Sequence, residues 1–378
     1  MASDLYYRVS VSAAAAAYDL SHDLTSLVIE EESGKPDQLT VELSDPFKVL
    51  GHALQEGMQV EVDIGTTDDH SIIFRGRIYR VQSDLPADGT PTLQVTAYDK
   101  SMAMGLRRRN RPFTDVALSD LVTQVASAYF NSDVQVELRG DPRFTGNGIR
   151  QQDETDLAFL LRLAARYGAE MYVLSDDDSD TLYFKAQYHI MQAEPEVTLH
   201  HGRCGVAHRL IQFQAEADVS NIRLPRVFAG IDYTSGEATE VSTAEVEAVG
   251  ESEDSFFDEN LAAFSTREPE RAGQLEALLA EAPAVQETLR GELGAAERET
   301  TPGFTTQEDL NTRAENQFST SIQGMRGSGA TVGNQRLRAQ SNARIEDVGG
   351  RFSGTWYLSQ VRHTIDQQGY QTQIQCQR

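Results

Sequence analysis

Four arginines within five positions, Arg107, Arg108, Arg109 and Arg111, are the most concentrated chemistry in the 378-residue chain. A guanidinium fork binds phosphate or carboxylate in a bidentate fashion. The chain carries 58 Asp+Glu against 33 Lys+Arg, a formal net charge of -25. Such a balance argues against coating nucleic acid or an anionic membrane. The run is therefore expected to meet the acidic surface of a partner or of another subunit, and Arg362 is a second interface candidate. His200-His201 with Cys204 offers metal-ligating residue types. Neighbours on a strand point to opposite faces, however, and no second ligand pair stands near. Cys204 and Cys376 are too few for a disulfide framework. The glycine-rich stretch Gly324-Met325-Arg326-Gly327-Ser328-Gly329-Ala330 lacks the Lys-Ser/Thr of a phosphate-binding loop and reads as a turn. The acidic tip Asp176–Asp180 lacks the spacing of a calcium loop. There is no Gly-x-Ser-x-Gly elbow, and carboxylates are too numerous for any pair to mark glycoside hydrolysis. No catalytic residue, cofactor or metal is expected, and the chain reads as a non-enzyme.

The elements that must hold these residues change character along the chain. Six segments before residue 100 alternate apolar and polar side chains as half-buried strands do: 4–9, 26–30, 38–43, 59–64, 72–81 and 92–98. Ser33-Gly34-Lys35-Pro36, Ser44-Asp45-Pro46 and Ala87–Pro91 supply turns between them. Close-spaced antiparallel strands suggest a small β-barrel. Helical periodicity follows over 118–130, and again after Asp153, which with Asp156 resembles a capping box. Leu157, Leu160, Leu161, Ala164 and Ala165 form that helix's apolar face, and Gly168 stops it. A hairpin over 171–184 comes next, and strands return at 206–215 and 226–233. Thr305–Glu308 resembles another capping box, opening a helix through about Phe318, and from Ser321 the chain is β again.

Charge is patterned too. Residues 236–300 hold 17 acidic side chains and four arginines, about half of the net negative charge. This stretch reads as an exposed, acidic, partly helical excursion. Lysine occurs only at Lys35, Lys48, Lys100 and Lys185. Scarce lysine with abundant carboxylate suits a salt-rich environment and equally suits a GC-rich genome. The N-terminus lacks the basic and apolar regions of a signal peptide, and no apolar run reaches the roughly 20 residues that span a bilayer. A soluble protein without a membrane anchor, made in the cytoplasm, is expected.

Three segments together resemble the baseplate hub proteins of contractile injection machines. These include the late control protein D of contractile-tailed phages, the hubs of R-type pyocins and extracellular injection systems, and the N-terminal part of VgrG. The first runs from Ala97-Tyr98-Asp99-Lys100 through Arg111-Pro112-Phe113-Thr114-Asp115 to Leu118. The second and most specific is Gln151-Gln152-Asp153-Glu154-Thr155-Asp156-Leu157-Ala158-Phe159-Leu160-Leu161-Arg162-Leu163-Ala164, ending near Tyr167-Gly168. The third is Gly354-Thr355-Trp356-Tyr357-Leu358 with Val361-Arg362-His363 and Gly369-Tyr370-Gln371-Thr372. The resemblance implies an α+β, mainly β fold. It has two small antiparallel β-barrel (tube-like) domains and an intervening α/β helical domain. On that plan residues 1–104 form the first barrel and 105–199 the helical domain. The second barrel comprises 200–235 and 321–378, split by the excursion over 236–320. The family's hubs are homotrimers that adapt a sixfold tube above to a threefold spike below, among baseplate wedge proteins. The chain stops at Arg378, which implies a separate spike protein. Assembly into a virion tail or extracellular injection particle would follow, with no specific nucleic-acid binding. A virion-associated glycan hydrolase and a carbohydrate-binding β-module or adhesin are the alternatives.

Overall fold

The computed structural model describes residues 5–14, 16–145, 148–176, 179–202, 208–218, 226–231, 238–242, 255–293, 297–304, 306–316 and 324–378. The alternation predicted before residue 100 is realised as β1 (Leu5–Ala13), β2 (Leu24–Glu32), β3 (Gln38–Ser44), β4 (Gln59–Thr66), β5 (His70–Asp84) and β6 (Thr92–Asp99). In β3 the period is plain: Leu39, Val41 and Leu43 are buried, while Gln38, Thr40 and Glu42 are partly exposed. The six strands pair antiparallel in the order β1-β4-β5-β6-β3-β2. Their inward side chains, among them Val9, Leu27, Ile29, Val62, Phe74 and Val95, form one core. Gly76 lets β5 cross β6 closely, since a Cβ there would lie 2.2 Å from the Tyr98 carbonyl oxygen. Among the described residues no ladder closes β1 onto β2. The connecting chain covers that gap: Leu20 N–H donates to Val9 O at 2.8 Å, and Val9 N–H donates to Ser21 Oγ at 2.9 Å.

The middle of the chain is α/β. It contains β7 (Arg108–Phe113), α1 (Leu118–Phe130), β8 (Val134–Glu137), β9 (Ile149–Thr155), α2 (Asp156–Arg166), β10 (Ala169–Ser175) and β11 (Asp180–Ala186). α1 buries Leu118, Leu121, Val122, Val125 and Phe130, and α2 buries Phe159, Leu160 and Leu163. Both stripes pack into one core with Met171, Val173, Leu182 and Phe184 of the sheet β8-β11-β10. The cap of α2 differs from the expected Asp153. Thr155 is the cap, its Oγ1 accepting from Ala158 N–H at 3.1 Å. Asp153 instead sits at φ +46° in a register shift between Gln151 and Glu154. The shift spends the extra residue before the helix begins.

The last unit comprises β12 (Val197–His201), β13 (Arg209–Ala217), β14 (Met325–Val332), β15 (Ser341–Glu346), β16 (Gly354–Asp366) and β17 (Gly369–Gln377). Their order is β12-β15-β16-β17-β14-β13, closed by β13 onto β12. Trp356, Leu358, Val361, Ile374 and Cys376 fill this closed six-stranded barrel. β12 runs parallel to both its neighbours, where the first unit is wholly antiparallel. Strand for strand, the sheet order repeats that of the first unit.

Between β13 and β14 lies the excursion. Strand Arg226–Ile231, expected in the second barrel, pairs instead with Ala238–Ser242 and Glu297–Phe304 in a separate sheet. Helices α3 (Ser255–Arg267), α4 (Pro269–Leu293) and α5 (Gln307–Asn316) complete it. α4 is exposed over most of its described length, while α5 buries Leu310, Ala314 and Asn316. Thr306 caps α5, its Oγ1 accepting from Asp309 N–H at 3.2 Å. Cys204, and residues 177–178, 206–207, 232–233, 305 and 317–323 of the expected elements, lie outside the described residues.

Candidate assembly interface

The two β units are one continuous sheet. β16 is long enough to serve both: Gly354–Leu358 pairs with β15, and Gln360–Ile365 then pairs on the same side with β2. Its other edge is held by β17. The seam runs from Leu27 opposite Ile365 to Glu32 opposite Gln360. Ile365 is only 3% exposed and belongs to the core of the first unit, although it comes from the second.

Charge pins this register. Glu31 follows Leu27 and Ile29 on the inward face of β2, an acid in phase with apolar residues. It is 2% exposed, accepts from Arg338 Nε at 2.6 Å and accepts from Ala339 N–H at 2.9 Å. Burial raises its carboxyl, and the Arg338 guanidinium works against that rise. On the outer face Arg362 Nη1 lies 3.1 Å from Glu30 Oε1. His363, fully buried opposite Ile29, donates from Nε2 to Leu337 O at 3.0 Å. Its Nδ1 accepts from Tyr370 Oη at 2.9 Å and from Thr372 Oγ1 at 3.2 Å. Burial, aided by Arg338, pushes this imidazole down to about 3. Asp99, the last residue of β6, accepts from Asp37 N–H at 2.8 Å and is pushed up to about 6, chiefly by burial.

The arginine run divides. β7 pairs antiparallel with β9, which sets Arg109 and Arg111 beside the first residue of α2. Asp156, 1% exposed, accepts from Arg111 and from Gln151 Nε2 at 2.9 Å through Oδ1. Its Oδ2 accepts from Tyr129 Oη at 2.8 Å and lies 3.2 Å from Arg109 Nε. Arg108 donates to Asp153 O at 2.8 Å on the surface, and Arg107 is exposed. Nothing in composition singled out Asp156 or Glu31. The signal for Glu31 was its phase on an apolar strand face; Asp156 was read only as part of a capping box and of the second family motif, which does not name its arginine partners.

No group of three or more His, Cys, Asp or Glu suited to a metal occurs among the described residues. His200 Nδ1 faces Asp347 Oδ2 at 3.0 Å, while His201 lines a cleft with Phe213, Ala215, Val348 and Phe352. Among the described residues no helix is long and apolar enough to cross a membrane.

A sequence model of the phage tail baseplate hub (GPD) family matches residues 31–369. The chain belongs to this family. No curated protein sequence matches the hub chain. Its fold is shared with a tail protein from Neisseria meningitidis MC58, at 13% identity over 98% of this chain and 96% of that one, with a TM-score of 0.63. The 43 kDa tail protein of prophage MuSo2 from Shewanella oneidensis gives 14% identity over 99% and 98%, with a TM-score of 0.63. An E. coli protein described as a component of the type VI secretion system gives 11% identity over 94% and 73%, with a TM-score of 0.55. The hub family is structural, and nothing here supports the glycan-hydrolase alternative.

Proposed function

We propose that this hub works as a homotrimer, non-enzymatically, adapting a sixfold tube protein above to a threefold, separate spike protein below, with wedge proteins around it. The observation that carries this reading is the internal duplication. Two six-stranded units with one sheet order are fused in one chain, so three chains supply six near-equivalent staves. The proposal includes synthesis in the cytoplasm followed by assembly into a virion tail or extracellular particle. In this arrangement Arg107 and Arg108, exposed on the surface of the helical domain, would face acidic neighbours, while Arg109 and Arg111 would hold the strand that presents them. Arg362 would serve at the junction between staves. Light scattering on the purified chain, alone and mixed with the spike protein from the same gene cluster, tests this. A trimer that co-elutes with the spike is expected. A chain that stays monomeric in both conditions would sink the reading.

A further inference from the structure

The chain contains its own template for a subunit contact. The two units match not only in sheet order but in their irregularities. In β5–β6 the register shifts between Ile78 and Arg80; in β16–β17 it shifts between Leu358 and Gln360. In β2–β3 it shifts between Leu24 and Ser26; in β13–β14 between Leu210 and Gln212. A backbone bond recurs as well: Gly57 N–H donates to Ile78 O at 2.8 Å, and Gln340 N–H donates to Leu358 O at 2.9 Å. These markers equate β5 with β16 and β2 with β13, residue by residue.

In one chain β2 is paired to β16. Their counterparts, β13 and β5, are not paired to each other. β13 meets β12 only at Arg209 and Leu210, and beyond them no strand of the described residues pairs with that edge. β5 loses its β4 partner after Arg77 while β6 continues to Asp84, which leaves its other edge open from Arg80 onward. Exposed apolar side chains stand on or next to these edges, Ile211 on β13 at 50% and Leu85, directly after β5, at 57%. Exposed strand edges of this kind pair when a partner is offered.

We infer that β13 of one copy pairs antiparallel with β5 of the next, in the register of the internal seam. Carrying that register across sets Phe213 opposite Leu85, Ala215 opposite Ser83, Glu216 opposite Gln82, Ala217 opposite Val81 and Asp218 opposite Arg80. The partner is a second copy of this chain, and the inference rests on the trimeric reading above. Chemistry supports the register. Ile365 fills the first core beside Leu27. Its counterpart, Leu85, would enter the cleft beside Phe213, lined by His201, Ala215, Val348 and Phe352. The inward series Phe213, Ala215 and Ala217 already packs on the second core. At the far end an arginine meets an acid, where the internal seam has Gln360 opposite Glu32.

The test combines cross-linking with a disruptive variant. The double variant Ser83→Cys/Ala215→Cys should form covalent dimers and trimers under oxidation or with a short bis-maleimide, while each single variant should not. Leu85→Asp should weaken the trimer about tenfold or more, yet leave monomer circular dichroism and unfolding midpoint unchanged, because Leu85 is exposed in the single chain. A trimer by light scattering that neither cross-links in the double variant nor weakens in Leu85→Asp overturns the seam and leaves the trimer standing. A chain that is monomeric at every concentration, with and without its spike, overturns the trimer and the seam with it.

Discussion

At the scale of single residues, the interfaces of this hub are held by a few buried polar groups with defined partners. His363 is the clearest. With Nε2 donating and Nδ1 accepting two hydroxyls, only the neutral ring fits its site. Its folded value of about 3 lies below the ordinary 6.5. The unfolded chain therefore binds the extra proton between these limits, so stability is full above about pH 6.5 and falls as the pH drops toward 3. Asp99, raised to about 6, acts oppositely between pH 4 and 6, and so do Asp37 and Glu31, whose carboxyls burial also raises. Between pH 7.5 and 4.5 the change in urea midpoint should therefore be less favourable for the natural chain than for His363→Gln, the difference growing as the pH drops below 6.5. Asp156 is a second test. Removing its carboxylate leaves two partly exposed guanidiniums side by side and takes the acceptor from Tyr129 Oη and Gln151 Nε2, so Asp156→Ala should cost about 1–3 kcal/mol in urea unfolding. Both residues lie in the motifs of the family resemblance, but nothing in the sequence names their partners. An aspartate at a helix start reads as a dipole partner, and only the β7–β9 pairing, which brings residues some 45 positions apart together, reveals the arginines it gathers.

At the scale of elements, local pattern was a good guide wherever burial is one-sided. Six of the seven strands before residue 100, all but Ala16–Asp19, and the two long helices of the middle domain follow from periodicity. The pattern failed where an element's partner lies outside its own unit. Strand Arg226–Ile231 has the composition of a barrel stave, but its pairing with Glu297–Phe304 is set across some seventy residues. Helix α5 shows the same point from the other side. It belongs to an acidic, largely exposed excursion, yet it docks on the helical domain. Tyr167 Oη donates to Asp309 Oδ1 at 2.5 Å, Arg166 Nη2 lies 3.3 Å from Oδ2, and Arg139 N–H donates to Asn316 Oδ1 at 2.6 Å. Burial and the Asp309 charge both raise the Tyr167 phenol, so it stays a donor across the working pH range. Tyr167→Phe removes that donor without removing the ring. Limited proteolysis should then cut near α5 faster than in the natural chain, with the β units left intact.

At the scale of the whole molecule, charge and load-bearing parts are separated. The acidic helices α3 and α4 lie in the excursion, outside both β units. Replacing residues 244–295 by a short glycine-serine linker should therefore remove about two-fifths of the net negative charge and keep the thermal midpoint and the oligomeric state. A lost trimer in that deletion, read by light scattering, would place the excursion within the contact surface. The plan of two units was legible in the resemblance of three short motifs. The seam was not, because it joins residues more than 300 positions apart and strand pattern names no partner.

The seam also sets a timetable. The first unit is complete only when Ile365 reaches its core, and Ile365 is made more than 330 residues after the end of β2. At roughly 5–20 residues per second, the N-terminal strands wait some tens of seconds with the β2 edge bare. During that interval the nascent chain offers to any neighbour the same edge that it later offers to itself. A hub that must not polymerise prematurely is thus most exposed before it is finished, and polysomes, where nascent copies crowd together, are the place where that hazard is greatest.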